Sequence, residues 1–165
     1  MNGINTNKHL KEIEFKLIEL KNVHYYENNP SESGYDLKDI RNANFEVGMQ
    51  LSFNEKNSII ILGLVVSFYK ILKEKRINLF GIKTINKFKF KQFKKILVND
   101  SKKSIKIPDQ LMHTLLGISL SNTRGMLAAM NSFPEYSKII IPLINTREML
   151  KTLKPRNLKK NTDKK

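Results

Sequence analysis

Cysteine is missing from this 165-residue chain, which excludes disulfides and thiolate metal sites and fits a reducing compartment. Acidic residues are scarce: fifteen Asp and Glu stand against thirty Lys and Arg, a formal net charge of +15. Such a field favours nucleic acid, anionic membrane surfaces or acidic proteins as partners and says nothing about fold. No glycine-rich phosphate loop is present; Ser121 to Gly125 (SNTRG) lacks the Gly and Lys of a P-loop. His9, His24 and His113 are scattered, with no metal-ligand spacing such as HExxH, and no serine sits in a nucleophile elbow. The chain therefore reads as a binding protein and not an enzyme, with neither metal nor cofactor expected. Long apolar runs are missing too. The greasiest stretch, Ser58 to Leu72 (SIIILGLVVSFYKIL), contains Lys70 and is shorter than the about 20 apolar residues that span a bilayer. The first fifteen residues lack the apolar core of a signal peptide, so a soluble cytoplasmic protein is expected.

What is present is enough apolar material, 40% of the chain, for one core. A single domain over residues 1–155 is expected, followed by a basic tail over 156–165. Between Ile13 and Glu27 the odd positions carry Ile13, Phe15, Leu17, Val23 and Tyr25, with an irregular patch in the middle, as in a long strand with a bulge. A loop rich in Pro, Ser, Gly and Asn follows. From Asn44 to Asn54 alternation is clean: Phe45, Val47, Met49, Leu51 and Phe53 on one face, polar residues and Gly48 on the other. After a hairpin at Asn54 to Asn57, Ser58 to Lys70 is apolar on both faces and reads as a central strand. A turn at Lys73 to Arg76 leads to a fourth strand, Ile77 to Phe90, with Phe80, Ile82, Phe88 and Phe90 opposed to Lys83, Lys87 and Lys89.

The second half changes period. Phe93 to Leu97 suggests a helical turn. Ile107-Pro108-Asp109-Gln110 opens a helix that carries Leu111, Leu115, Ile118, Met126, Leu127 and Met130 and stops before Ser132-Phe133-Pro134. The segment "FPEYSKIIIPLIN" (Phe133 to Asn145) is apolar and interrupted. Asn145 to Glu148 then begins a last helix with Met149, Leu150 and Leu153. Strands first and helices second predict an α+β fold, a four-stranded antiparallel sheet with a long helix and a short C-terminal helix packed on one face.

This order resembles SecB-like protein-export chaperones over roughly Phe15 to Leu153. "LKNVHYYENNP" (Leu20 to Pro30) is similar to the family's first strand entering its crossover loop. "FEVGMQLSF" (Phe45 to Phe53) is similar to its second, groove-lining strand, and "TRGMLAAM" (Thr123 to Met130) to a segment of its long helix. "FPEYSKIIIPLINTREML" (Phe133 to Leu150) is similar to its closing pattern. The resemblance implies an ATP-independent holdase that binds unfolded or preprotein clients, in export or as a dedicated chaperone of a toxin–antitoxin module. It also implies a tetramer built as a dimer of dimers, and a groove lined here by Val47, Met49, Leu51, Met149, Leu150 and Leu153. Family members dock the SecA motor through acids on the outer sheet face. The matching positions, Asn22, Tyr26 and Gly81, carry none, and with a charge of +15 this argues against conventional SecA docking. The sheet face away from the helices is expected to meet a neighbouring subunit. The alternative reading is a basic nucleic-acid-binding protein using the lysines after Lys83 and the tail, although alternation sets Phe88 and Phe90 opposite Lys87 and Lys89.

Overall fold

Alternation of apolar and polar residues builds four long strands, β1 (Phe15–Glu27), β2 (Asn44–Asn54), β3 (Ile59–Leu72) and β4 (Lys75–Phe90). The structure, a computed structural model, describes residues 13–30, 42–96, 98–99 and 105–152. The strands form one antiparallel sheet in the order β1-β4-β3-β2. β2, β3 and β4 are a meander, and β1 lies along the free side of β4. The β3–β4 connection is tighter than expected. Lys73 and Glu74 both take positive φ, 46° and 65°, the geometry that matches strand twist, so β4 starts at Lys75. Downstream come α1 (Phe93–Ile96), a two-residue ladder of β5 (Val98–Asn99) with β6 (Ile105–Lys106), α2 (Asp109–Met130), a 3-10 turn at Tyr136–Lys138, and α3 (Thr146–Thr152). The α+β expectation holds, with the long helix on one sheet face.

The continuous apolar run of β3 is explained by its central place. Ile60, Leu62, Leu64, Val66 and Phe68 are buried beneath α2 beside Phe80, Ile82 and Phe88 of β4. From α2, Leu111, Leu115, Leu116, Leu120 and Leu127 close the core. At its centre the contact is polar. Thr84 and Thr123 share a 2.7 Å hydroxyl hydrogen bond, Asn122 donates to Asn86 at 3.1 Å, and Thr84, Asn86, Ser119 and Thr123 are all fully buried. Small polar side chains at 119 and 123 let the helix lie close to the sheet, and Thr123 pairs with the Thr84 hydroxyl of β4.

β1 departs from the expected single irregularity. Its register with β4 shifts twice, between Leu17 and Glu19 and again between Asn22 and His24, and each shift inserts an unpaired residue. Parity therefore changes twice. Leu20, Asn22 and Tyr25 oppose Asn86, Thr84 and Ile82 of the buried row, and Val23 is exposed. Asn22 donates to the Met130 sulfur at 3.2 Å on the helix side, so it is not on the outer face where the strand pattern put it. Tyr26 and Gly81 do lie there, as a directly opposed pair.

A Cβ at Gly81 would come within 2.7 Å of both the Tyr26 ring and the Val66 carbonyl oxygen. The ring has room to swing, but the carbonyl belongs to the β3 ladder. Gly81→Ala is therefore expected to lower stability by about 1–3 kcal/mol. Adding Tyr26→Ala should restore only part of the loss in a urea melt.

The apolar closing segment is tied down at several points. Tyr136 is fully buried, its ring 4.7 Å from Phe80, and its hydroxyl donates to the Asn28 carbonyl at 2.7 Å. The Glu27 carboxylate accepts the backbone N–H of Ser132 and Phe133 just beyond α2. Burial, reinforced by the Glu27 carboxylate, pushes the Tyr25 phenol above its ordinary range, which keeps it a donor to Asn131.

Candidate functional site

The helix-side row of β2 lies near α3 and the residues just before it. Val47, Met49 and Leu51 oppose Val66, Leu64 and Leu62, and all three are half-buried. Met149 and Leu150 of α3 pack on the same core. The structure thus brings together five of the six groove residues expected from sequence; Leu153 lies outside the described residues. They do not share one role. An open depression of about 320 Å³ is lined by Phe45, Val47, Ile144, Asn145, Glu148 and Met149. Met49, Leu51 and Leu150 belong to the packed layer and not to its lining.

The segment leading into α3 adds further exposed apolar surface. Ile141 is buried, and Ile139 and Ile144 are half-buried against the core. Between these anchors, Ile140 is 67% exposed and Leu143 is 93% exposed. Arg124 holds the run in place by donating to the carbonyls of Ile141 and Pro142 at 2.9 and 3.0 Å. Asn145 caps α3, its side-chain oxygen accepting the Arg147 N–H at 3.0 Å. Ile140 and Leu143 are held outward by their neighbours' anchoring, and Phe45, 39% exposed, continues the surface from β2.

Four residues of this surface, Phe45, Ile140, Leu143 and Ile144, were not singled out from the sequence. Phe45 was available, since it shares the alternating face of Val47. The other three lie in a stretch without helical or strand periodicity, where inward and outward positions cannot be read. The surface offers apolar contact, beside β2 at the edge of the sheet. Glu148, the acid at its rim, is paired with Lys151 at 2.9 Å. Among the described residues no cluster of His, Cys, Asp or Glu could hold a metal ion, and no helix is long and apolar enough to cross a membrane.

The opposite face of the sheet is of another kind. Lys83, Lys87 and Lys89 project from β4 opposite His24, Glu19 and Lys16 of β1, while Phe88 and Phe90 are buried on the helix side. Phosphate contacts and the Phe88 and Phe90 rings therefore lie on different sides of the sheet. At the far end, Arg76 reaches across Tyr69, 4.0 Å above its ring, to the Glu46 carboxylate, which it holds below the usual range.

The chain matches no family model and no curated protein. Among solved structures it aligns with a protein of unknown function from Streptococcus agalactiae at 19% identity, with 80% of this chain and 98% of that one covered. The TM-score of 0.27 is too low to bear on fold or function.

Proposed function

We propose that the protein is an ATP-independent holdase of the SecB-like class, working in the cytoplasm, that binds unfolded polypeptides along β2 and the 139–151 segment. The observation that carries this reading is the outward presentation of Leu143 and Ile140 from a run anchored by Ile141 and Arg124, beside the depression formed with Phe45, Val47 and Met149. A collapsed loop would turn those side chains inward. A client surface needs them exposed, apolar and adaptable, and methionine at 149 suits many sequences. The order of elements and the motifs that resemble the SecB-like family agree with it. Clients would be preproteins or the partner of a dedicated toxin–antitoxin module.

The test is suppression of light scattering by an unfolded client diluted from denaturant, without nucleotide. Protection at near-stoichiometric chain is expected. Aggregation at the uncatalysed rate, together with tight salt-sensitive binding of an oligonucleotide between about 50 and 200 mM salt, would favour the nucleic-acid alternative.

A tetramer built as a dimer of dimers needs two self-complementary surfaces. In a chain of charge +15, the 22 residues of α2 contain no lysine, and their one arginine, Arg124, is already engaged. Gly117 and Gly125 of α2 have no neighbours where a Cβ would stand. This side of α2 is where two copies meet without apposed charge, and the free edge of β1, with Leu17, Ile18, Leu20 and Val23 exposed, is the other. Gly125→Glu should stabilise the isolated helix, since Gly is about 1 kcal/mol poorer than most residues there. It is nevertheless expected to halve the assembly's mass by light scattering, with circular dichroism unchanged.

A further inference from the structure

On the outer sheet face one position of the central strand carries no side chain, and a Cβ there would meet nothing nearer than 3.7 Å, which leaves a hole. Its floor is Gly63 of β3, and the same-face neighbours are Ile61 and Val65 along the strand, Ile85 across on β4 and Gln50 across on β2. Val65 is 41% exposed, and its neighbour across β2 is Gly48, so the wall on that side is low as well. Beside the hole runs a basic row. Lys83 and Lys87 flank Ile85 on β4, and Lys87 alone of the two has an ion-pair partner among the described residues, Glu19 at 2.8 Å. Lys16 and Lys89 stand directly opposite each other with no acid between them, an arrangement that disfavours the free sheet and favours an arriving anion.

We infer that this face docks an acidic amphipathic helix of a partner protein, which places one large apolar side chain in the Gly63 hole and carboxylates over Lys83 and Lys87. The geometry fits: those lysines are about 13 Å apart along the strand, and acids two helical turns apart are separated by about 11 Å. The central apolar side chain then falls between them, as in other helix-in-groove contacts. A second copy of this chain, the occupant expected for this face from the apolar outer positions of β3, is disfavoured because it would bring the lysine row of one copy to that of the other. Nucleic acid is disfavoured because the aromatic rings on this side are occupied: Tyr69 lies beneath Arg76, and Tyr26 covers Gly81. The site is separate from the client surface and does not depend on that reading.

The test uses the full chain and three labelled probes in fluorescence anisotropy. They are a 20-residue amphipathic peptide with leucines on one face and glutamates flanking them, a scrambled peptide of the same composition, and a 20-nucleotide oligo-dT. A Cβ at Gly63 would make only ordinary contacts, the nearest at 3.7 Å, so Gly63→Val adds a β-branched side chain suited to a strand at this point, and its circular dichroism is recorded beside the binding. The amphipathic peptide is expected to bind at least tenfold more tightly than the scrambled one. Gly63→Val and Lys83→Glu should each weaken it at least tenfold and leave client protection unchanged. The inference is overturned if Gly63→Val binds the peptide as well as the parent chain does. Equal binding of all three probes would also overturn it, leaving a general attraction for polyanions, as would loss of self-association in Gly63→Val, which would assign the hole to a second copy.

Discussion

The triple variant Phe45→Ser/Ile140→Ser/Leu143→Ser is expected to lose client protection while keeping its native circular dichroism. Ile140 and Leu143 are largely in water already, so removing them should change stability by no more than about 0.5 kcal/mol each, whereas Phe45, whose ring lies 6.1 Å from that of Phe68, should cost about 1–3 kcal/mol. A client that buries part of each gains on the order of 1 kcal/mol per side chain, and loss of all three should weaken binding on the order of 100-fold. The expected reading is a protection curve displaced by at least tenfold in chain concentration. An unchanged curve would remove the 139–145 run from the binding surface and return it to a packing role.

Tyr136→Ala is expected to have the largest effect on stability, about 3–5 kcal/mol, because it empties a fully buried aromatic site. Its ring contacts Phe80 of β4 and lies 5.9 Å from Phe133, and its hydroxyl satisfies the Asn28 carbonyl beyond β1. One side chain thus ties the closing segment to the sheet. Tyr136→Phe should cost only about 1 kcal/mol, the worth of one hydrogen bond. Denaturant midpoints of the two variants separate the contributions, and similar losses in both would show that the hydroxyl, not the ring, does the anchoring.

The parts of this fold that were legible in the sequence are those where one rule decided. β2 alternates because one side meets the core and the other does not. β3 is apolar throughout because it is central and its outer side is itself largely apolar. β4 places phenylalanines and lysines on opposite sides for the same reason. Where two rules competed, reading stopped. In β1 the residue inserted between Leu17 and Glu19 moves Asn22 from the outer face to the helix side, and the second insertion restores the original parity at Tyr25. On α2 the greasy positions were visible, but Ser119 and Thr123 are buried while Ile118 is only half-buried. Thr123 bonds Thr84 and its neighbour Asn122 bonds Asn86, across 39 and 36 residues of sequence, and no local pattern announces either pairing. The candidate site follows the same division. The strand face was readable, and the outward turn of Ile140 and Leu143 is set by Arg124 and Ile141, contacts made only in three dimensions.

Because the chain has no cysteine, a single Leu143→Cys carries a thiol-linked photo-crosslinker to one point on the molecule. Lys89→Cys places the same label on the outer sheet face. Each labelled protein is mixed with a client either native or freshly diluted from denaturant, then irradiated. The account predicts adducts from position 143 with the unfolded client, few from position 89, and none with the native client. Suppressed aggregation without adducts at 143, or equal adducts from both positions, would contradict it.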